Sequence, residues 1–258
     1  MEKVVYLLWR DPRVGAAEFD TRLRREIGPR LADAGALGVQ LNLTDDDARG
    51  AAPTFAATRT PIDALVSLWL HSANDDRRRV FDDLVAQAAL RSAAYLVTES
   101  QPIVNTRHPP APGERTAGFA QIALLQRPPR LTYRQWLALW LGAHTQVAID
   151  TQDTYYYRQN VVVRALHVDA PRWDAIVEEG FPPAAFGDPR AFFAAAGDDE
   201  KYRRHRAAMS ESSKRFIDLD RLDVVQTSQY VISDLAARPG NNLAPGASLE
   251  HARAAAQR

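Results

Sequence analysis

The feature that most constrains this chain is a repeat. Leu7-Leu8-Trp9-Arg10-Asp11-Pro12-Arg13-Val14 lies over Leu124-Leu125-Gln126-Arg127-Pro128-Pro129-Arg130-Leu131 at an offset of 117 positions. At the same offset Phe19, Leu23 and Ile27 lie over Trp136, Trp140 and His144. The offset then becomes 111, with Ile62-Asp63-Ala64-Leu65-Val66 over Trp173-Asp174-Ala175-Ile176-Val177. The change marks an insertion in the first half, within the polar 45–60 segment. Whatever fold one half adopts, the other must adopt as well.

The hydrophobic pattern says what that unit is. Residues 4–9 form a short, β-branched-rich apolar run, a strand ended by Arg10-Asp11-Pro12. Phe19, Leu23, Ile27 and Leu31 recur at helical spacing, and Gly35 and Gly38 end that helix. Strands follow at 39–43 and 64–70. A helix over 75–89 carries Val80, Phe81, Leu84, Val85 and Ala88, with Asn74 or Asp75 as its N-cap. A strand at 93–98 completes a β-α-β-β-α-β order, the ferredoxin-like unit. Pro109, Pro110, Pro112 and Gly113 make a linker. The second half predicts strands at 119–126, 156–165, 173–178 and 224–232, with helices at 133–150, 190–196 and 200–216. The expected fold class is therefore α+β, with two ferredoxin-like βαββαβ units at 1–112 and 117–235. A Gly-, Pro- and Ala-rich extension occupies 236–258. Each unit leaves one sheet face to cover. Two such sheets in one chain can cover each other, which predicts an intramolecular dimeric α+β barrel.

Composition removes several function classes. The 258 residues include 32 basic and 32 acidic side chains, so no global field favours nucleic acid or an anionic membrane. Absence of cysteine excludes disulfides, thiolate catalysis, iron–sulfur clusters and Cys-built zinc sites. No run approaches the ~20 apolar residues of a membrane span, and a soluble cytoplasmic protein is expected. The glycine fingerprint of dinucleotide sites, the phosphate-binding P-loop, the GxSxG elbow and HExxH are all missing. None of the six histidines pairs with another at i, i+4, and no metal site is expected. The basic stretch 201–206 lacks interleaved aromatic residues, which argues against a nucleic-acid surface.

Chemistry concentrates in the second half. His144 ends the stripe Trp136, Trp140, His144 and so faces the same way as two indole rings. Burial in that setting would keep it a neutral base near pH 7; its counterpart Ile27 is a plain core residue. A lone buried histidine also suits a purely structural role. Next come Tyr155, Tyr156 and Tyr157. Tyr157, Gln159, Val161 and Val163 share one strand face, and Arg158, Asn160, Val162 and Arg164 the other. A tyrosine–histidine pair could relay a proton, although three tyrosines also simply fill a pleated surface. Asp174 sits in an apolar strand and needs a partner. Its repeat mate Asp63 points to a turn or cap instead.

Residues 119–232 resemble the EthD family of the dimeric α+β barrel superfamily. The resemblance is carried by Trp136-x3-Trp140-x3-His144, by Tyr157-x-Gln159-Asn160-x-Val162 and by Trp173-Asp174-Ala175-Ile176. Phe216-Ile217-Asp218 and the closing strand complete it. The first half resembles the family more weakly, through Arg10-x2-Arg13, Phe19-x3-Leu23 and Ile62-Asp63, and lacks the helix histidine. The resemblance implies a cavity between sheet and helices. It also implies kinship with cofactor-independent cyclases, dehydratases, decarboxylases and monooxygenases acting on polyketides or aromatic compounds; other branches bind haem. On that basis the expected activity is a cofactor-independent lyase or isomerase, dehydratase or cyclase in type, acting on a small aromatic or polyketide-like carbonyl compound. His144 would remove the proton α to the carbonyl. Tyr157 would hydrogen-bond the enolate, with Asn160 as a further candidate. Trp136, Trp140, Tyr155, Trp173, Asp174 and Phe216 would surround the substrate. Neither cofactor nor metal is expected. The alternatives are a haem protein with His144 as axial ligand, a cofactor-free monooxygenase, and a non-catalytic ligand carrier. The expected partner is a small-molecule substrate, with no nucleic acid and no membrane. The assembly is either a monomer with an internal pseudo-dimer or a homodimer.

Overall fold

Among the described residues, six of the nine strands are buried along most of their length, and their order follows the pattern read above. In a computed structural model, residues 1–51, 54–58 and 60–235 are described; the extension expected at 236–258 lies outside them. The first half runs β1 (Glu2–Trp9), α1 (Ala16–Arg22), a π-helical stretch Leu23–Ile27, α2 (Gly28–Asp33), β2 (Gly38–Leu43) and β3 (Phe55–Ala56). It ends with β4 (Ala64–Leu70), α3 (Asp75–Ala86) and β5 (Arg91–Ile103). The second half runs β6 (Phe119–Leu125), α4 (Tyr133–Leu137), a π-helical stretch Ala138–His144 and α5 (Thr145–Thr151). It continues through β7 (Tyr156–Ala165), β8 (Ala175–Phe181), α6 (Pro189–Phe192), α7 (Asp199–Lys214) and β9 (Leu222–Ser233).

The strands close on themselves. Their order is β2-β4-β1-β5-β7-β8-β6-β9, and β9 pairs back to β2, giving an antiparallel eight-stranded barrel with β3 added beside β9. Closure removes the free sheet edges that would otherwise invite association. Alternation along each strand sorts the side chains. Val5, Leu7 and Trp9 point into the barrel with Ile122, Leu124, Ile176 and Val225. Val4, Tyr6 and Leu8 point outward against Phe19, Leu23 and Ile27 of the helical layer. Gly180 of β8 is required by packing: a Cβ there would meet the Tyr156 ring at 1.9 Å.

Several details recur in both halves. Each first helix is interrupted by a π-helical stretch, ending at Ile27 and at His144. Asp63 accepts from the Arg10 backbone N–H at 2.9 Å, and Asp174 from the Arg127 N–H at 2.8 Å. Backbone N–H groups of Asp63 and Asp174 donate to Leu8 and Leu125 carbonyls at 2.9 and 2.8 Å. Three expectations need correction. The helix expected over 133–150 is broken by its π turn. The strand expected at 173–178 starts at Ala175 and runs to Phe181, leaving Trp173 and Asp174 ahead of it. The helix expected at 190–196 ends at Phe192, and Ala194 then takes a positive φ of 50°. On α3, Arg78 is buried and held by Asp75, Asp82 and the Ala73 carbonyl. No helix among the described residues is long and apolar enough to cross a membrane.

Candidate functional site

The helical layer of the second half is aimed by its cap. Thr132 and Gln135 form a reciprocal capping box at the start of α4, which fixes where the chain enters the helix. Trp136 and Trp140 then face the sheet with ring centroids 5.2 Å apart. Trp136 Nε1 donates to the Phe216 carbonyl at 3.2 Å, and Trp140 Nε1 donates to the Tyr157 hydroxyl at 3.3 Å. The π-helical stretch ends on His144, a local widening that recurs at functional sites. His144 lies 4.6 Å from the Phe216 ring centroid, and its Nδ1 is 2.9 Å from the Ser212 hydroxyl of α7.

Between this layer and the outer face of β6, β7, β8 and β9 lies a cavity of about 310 Å³. Trp140, Tyr157, Val177, Phe216 and Leu222 are among its apolar walls, and His144, Gln121 and Glu179 are among its polar groups. Glu179 stands opposite Tyr157 on β7 and Gln121 on β6. Its carboxylate accepts from Gln121 Nε2 at 3.2 Å, and Gln121 in turn accepts from Gln226 Nε2 at 3.2 Å. Burial pushes the Glu179 carboxyl up to about 7, only partly opposed by the Gln121 hydrogen bond. Burial also pushes His144 down to about 4, so the imidazole is neutral at physiological pH. The same cause raises the Tyr157 hydroxyl well above its ordinary value and keeps it protonated.

Among solved structures, an anthrone oxidase-like protein is similar over 92% of this chain and 96% of its own, with 10% identity and a TM-score of 0.52. Chlorite dismutase from Candidatus Nitrospira defluvii, as a variant, covers 91% of this chain and 92% of its own, with 9% identity and a TM-score of 0.43. The chain has a dimeric α+β barrel fold. No protein-family model and no curated protein matches it. The likeness is one of fold, and EthD itself is named by none of these structures.

Within this α+β barrel, four of the expected residues meet. His144, Tyr157, Trp140 and Phe216 line the one cavity. Trp136 is fully buried behind Trp140. The other four lie elsewhere. Asn160 sits on the opposite face of β7, inside the barrel, and donates to the Ile176 carbonyl at 2.9 Å. It does not line the cavity and cannot serve an enolate there. Trp173 packs in the barrel interior beside Ile62 and Leu65. Tyr155 donates to the Ala117 carbonyl and stacks edge-on against His108 at 4.8 Å. Asp174 caps the Arg127 N–H, as its repeat mate Asp63 foretold. Glu179, Gln121, Ser212 and Phe55 were missed. The signal for Glu179 was present: two glutamates inside an apolar strand, one of which must face each buried side.

Haem, one of the expectations attached to the resemblance, does not suit these residues. Among the described residues, Lys214 is the only Lys or Arg that lines the cavity, against the two propionates of a haem. The His144 ring packs against Phe216, with centroids 4.6 Å apart. A volume of about 310 Å³ is near the lower bound of roughly 300 Å³ for small-molecule pockets. No cluster of His, Cys, Asp and Glu among the described residues could hold a metal ion.

Proposed function

We propose that this protein is an enzyme that removes a proton from the carbon next to the carbonyl of a small aromatic or polyketide-like compound, the opening step of a cofactor-independent lyase or isomerase reaction. One observation carries the reading: a buried carboxylate tuned to about 7 lies in the same apolar cavity as a neutral histidine. A general base works best when its pKa is near the operating pH. Glu179 meets that condition. His144, whose conjugate acid forms only near pH 4, is a weak base, and its role moves to that of hydrogen-bond donor. In this reading the Ser212 hydroxyl, 2.9 Å from Nδ1, donates to it, which leaves Nε2–H to donate to the developing oxyanion. The Tyr157 hydroxyl accepts from Trp140 and, in this reading, gives its own proton to the same oxygen. The product is an enolate stabilised by two neutral donors, with the proton on Glu179. Trp140, Phe216 and Val177 keep water out.

We also infer that the chain is a fused pair of ferredoxin-like units, 1–112 and 117–235. The matching strand orders β2-β4-β1-β5 and β7-β8-β6-β9 support this, as do the two π-helical stretches. Such a chain closes its barrel without a second copy.

The test is hydrogen–deuterium exchange at the methylene carbon of anthrone, followed by NMR in D₂O. Wild-type protein should accelerate exchange, with a rate that rises with pH through about 7 as Glu179 loses its proton. Glu179→Gln should lose about 10²–10⁴ of the acceleration. An unaccelerated background rate with the wild-type protein, or full activity in Glu179→Gln, would overturn the reading. Oxygen uptake during the same reaction would shift the fate of the enolate to cofactor-free oxygenation.

A further inference from the structure

A second cavity, about 360 Å³, lies at the other side of the sheet, where the barrel interior turns polar. Its walls include Arg158, Gln40, Trp69 and Glu99, and residues of the connecting strap, Pro109 and Pro110 among them. Lys3, Glu99, Arg158 and Glu178 bring two cations and two anions into this end of the barrel. Buried charge of this kind is destabilising unless each group finds its partners.

Lys3, Glu99 and Glu178 are fully served, and Arg158 is served only in part. Lys3 pairs with Glu99. The Glu178 carboxylate accepts from neutral donors: Gln40 Nε2 at 2.9 Å, Asn42 Nδ2 at 3.0 Å, Gln229 Nε2 at 2.6 Å and the Tyr156 hydroxyl at 3.0 Å. Arg158 therefore meets a carboxylate that is already served, and stands 3.5 Å from it. One Arg158 nitrogen donates to Gln40 Oε1. Its Nε is buried and has no hydrogen-bond partner. An arginine carries donors in a planar fork that matches a carboxylate, so a buried guanidinium N–H without an acceptor marks where one is needed. The rest of the wall is mixed: the Trp69 ring, Val39, Val104, Val231 and the two prolines stand beside the polar Gln101, Asn105, Gln229 and Ser233 and the Asp234 carboxylate.

We propose that this barrel mouth binds a small aromatic carboxylate, with its carboxylate on Arg158 and its ring against Trp69. The site is separate from the Glu179 cavity, since Arg158 and Tyr157 are consecutive residues on opposite faces of β7.

Isothermal titration calorimetry with benzoate tests this. Wild-type protein should bind benzoate. Arg158→Gln, which leaves Glu178 its four neutral donors, should weaken binding at least tenfold. Trp69→Leu changes no charge and should weaken it several-fold, which guards against a folding failure of the first variant. His144→Ala and Glu179→Gln should leave binding unchanged. Absence of binding to wild type, binding indifferent to both Arg158→Gln and Trp69→Leu, or binding lost in His144→Ala would each overturn the proposal. These outcomes do not depend on proton exchange in the other cavity.

Discussion

The two halves of this barrel share a backbone plan and differ at four positions that matter. Strand register aligns Gln121, Tyr157 and Glu179 of the second half with Val4, Val39 and Leu68 of the first. Helix spacing aligns His144 with Ile27. In the first half all four residues are apolar and fully buried in one cluster with Phe19 and Leu23. In the second half four polar groups occupy the same layer, and a cavity of about 310 Å³ stands among them. The same strand order and the same π turn thus support a dry core on one side and a chemical site on the other. The fold supplies the position, and the residues at these four points supply the chemistry.

That comparison can be broken at its strongest point by Glu179. Glu179→Gln should remove about 10²–10⁴ of the exchange rate and also change how stability depends on pH. The folded protein holds the Glu179 proton to about 7, against an ordinary value of 4.5. Between those values the native state binds the extra proton, so this contribution is full below about 4.5 and is lost as pH rises to 7. Glu179→Gln should abolish that decline and gain about 2–3 kcal/mol over wild type at pH 8. Urea denaturation at pH 5 and pH 8 measures it.

His144→Ile makes the second half resemble the first at one position. Loss of an oxyanion donor should lower the exchange rate by about 10²–10³ while the pH midpoint near 7, set by Glu179, remains. His144 has the opposite linkage. Its proton leaves near pH 4 in the folded state and near 6.5 in the unfolded one. Its contribution is present above 6.5 and is lost as pH falls to about 4; His144→Ile should flatten stability over that window.

The reverse swap, Ile27→His, buries an unpartnered imidazole in the first-half core and should cost about 2–4 kcal/mol by denaturant melt. The smallest effect belongs to Phe55. It lies on β3, contributed by the first half's insertion, pairs with Val224 on β9 and lines the second half's cavity. Phe55→Ala should raise KM several-fold and leave kcat within about twofold.

Much of this was legible in the residues. The element order read from the hydrophobic pattern recurs in the strands, which close as one sheet into an eight-stranded barrel. The stripe Trp136, Trp140, His144 faces the sheet as its spacing implies, with Trp140 and His144 on the cavity, and Asp174 caps the Arg127 N–H as Asp63 caps that of Arg10. Faces were harder. Alternation separates Tyr157 from Asn160, but only closure decides which of them looks into the barrel. Ending β8 at 178 hid Glu179 altogether. Tyr155 precedes β7 and turns toward the linker, where strand periodicity has no bearing. The π turns leave no mark in a pattern that an ordinary helix would share.

The most direct test needs no substrate. Carbon-13 NMR titration of the glutamate carboxyls, in wild type and Glu179→Gln, reads the protonation of the one group on which the second half's chemistry rests. The account predicts a single glutamate resonance with a midpoint near 7 that is missing from the variant. A wild-type spectrum in which every glutamate titrates in its ordinary range would contradict it.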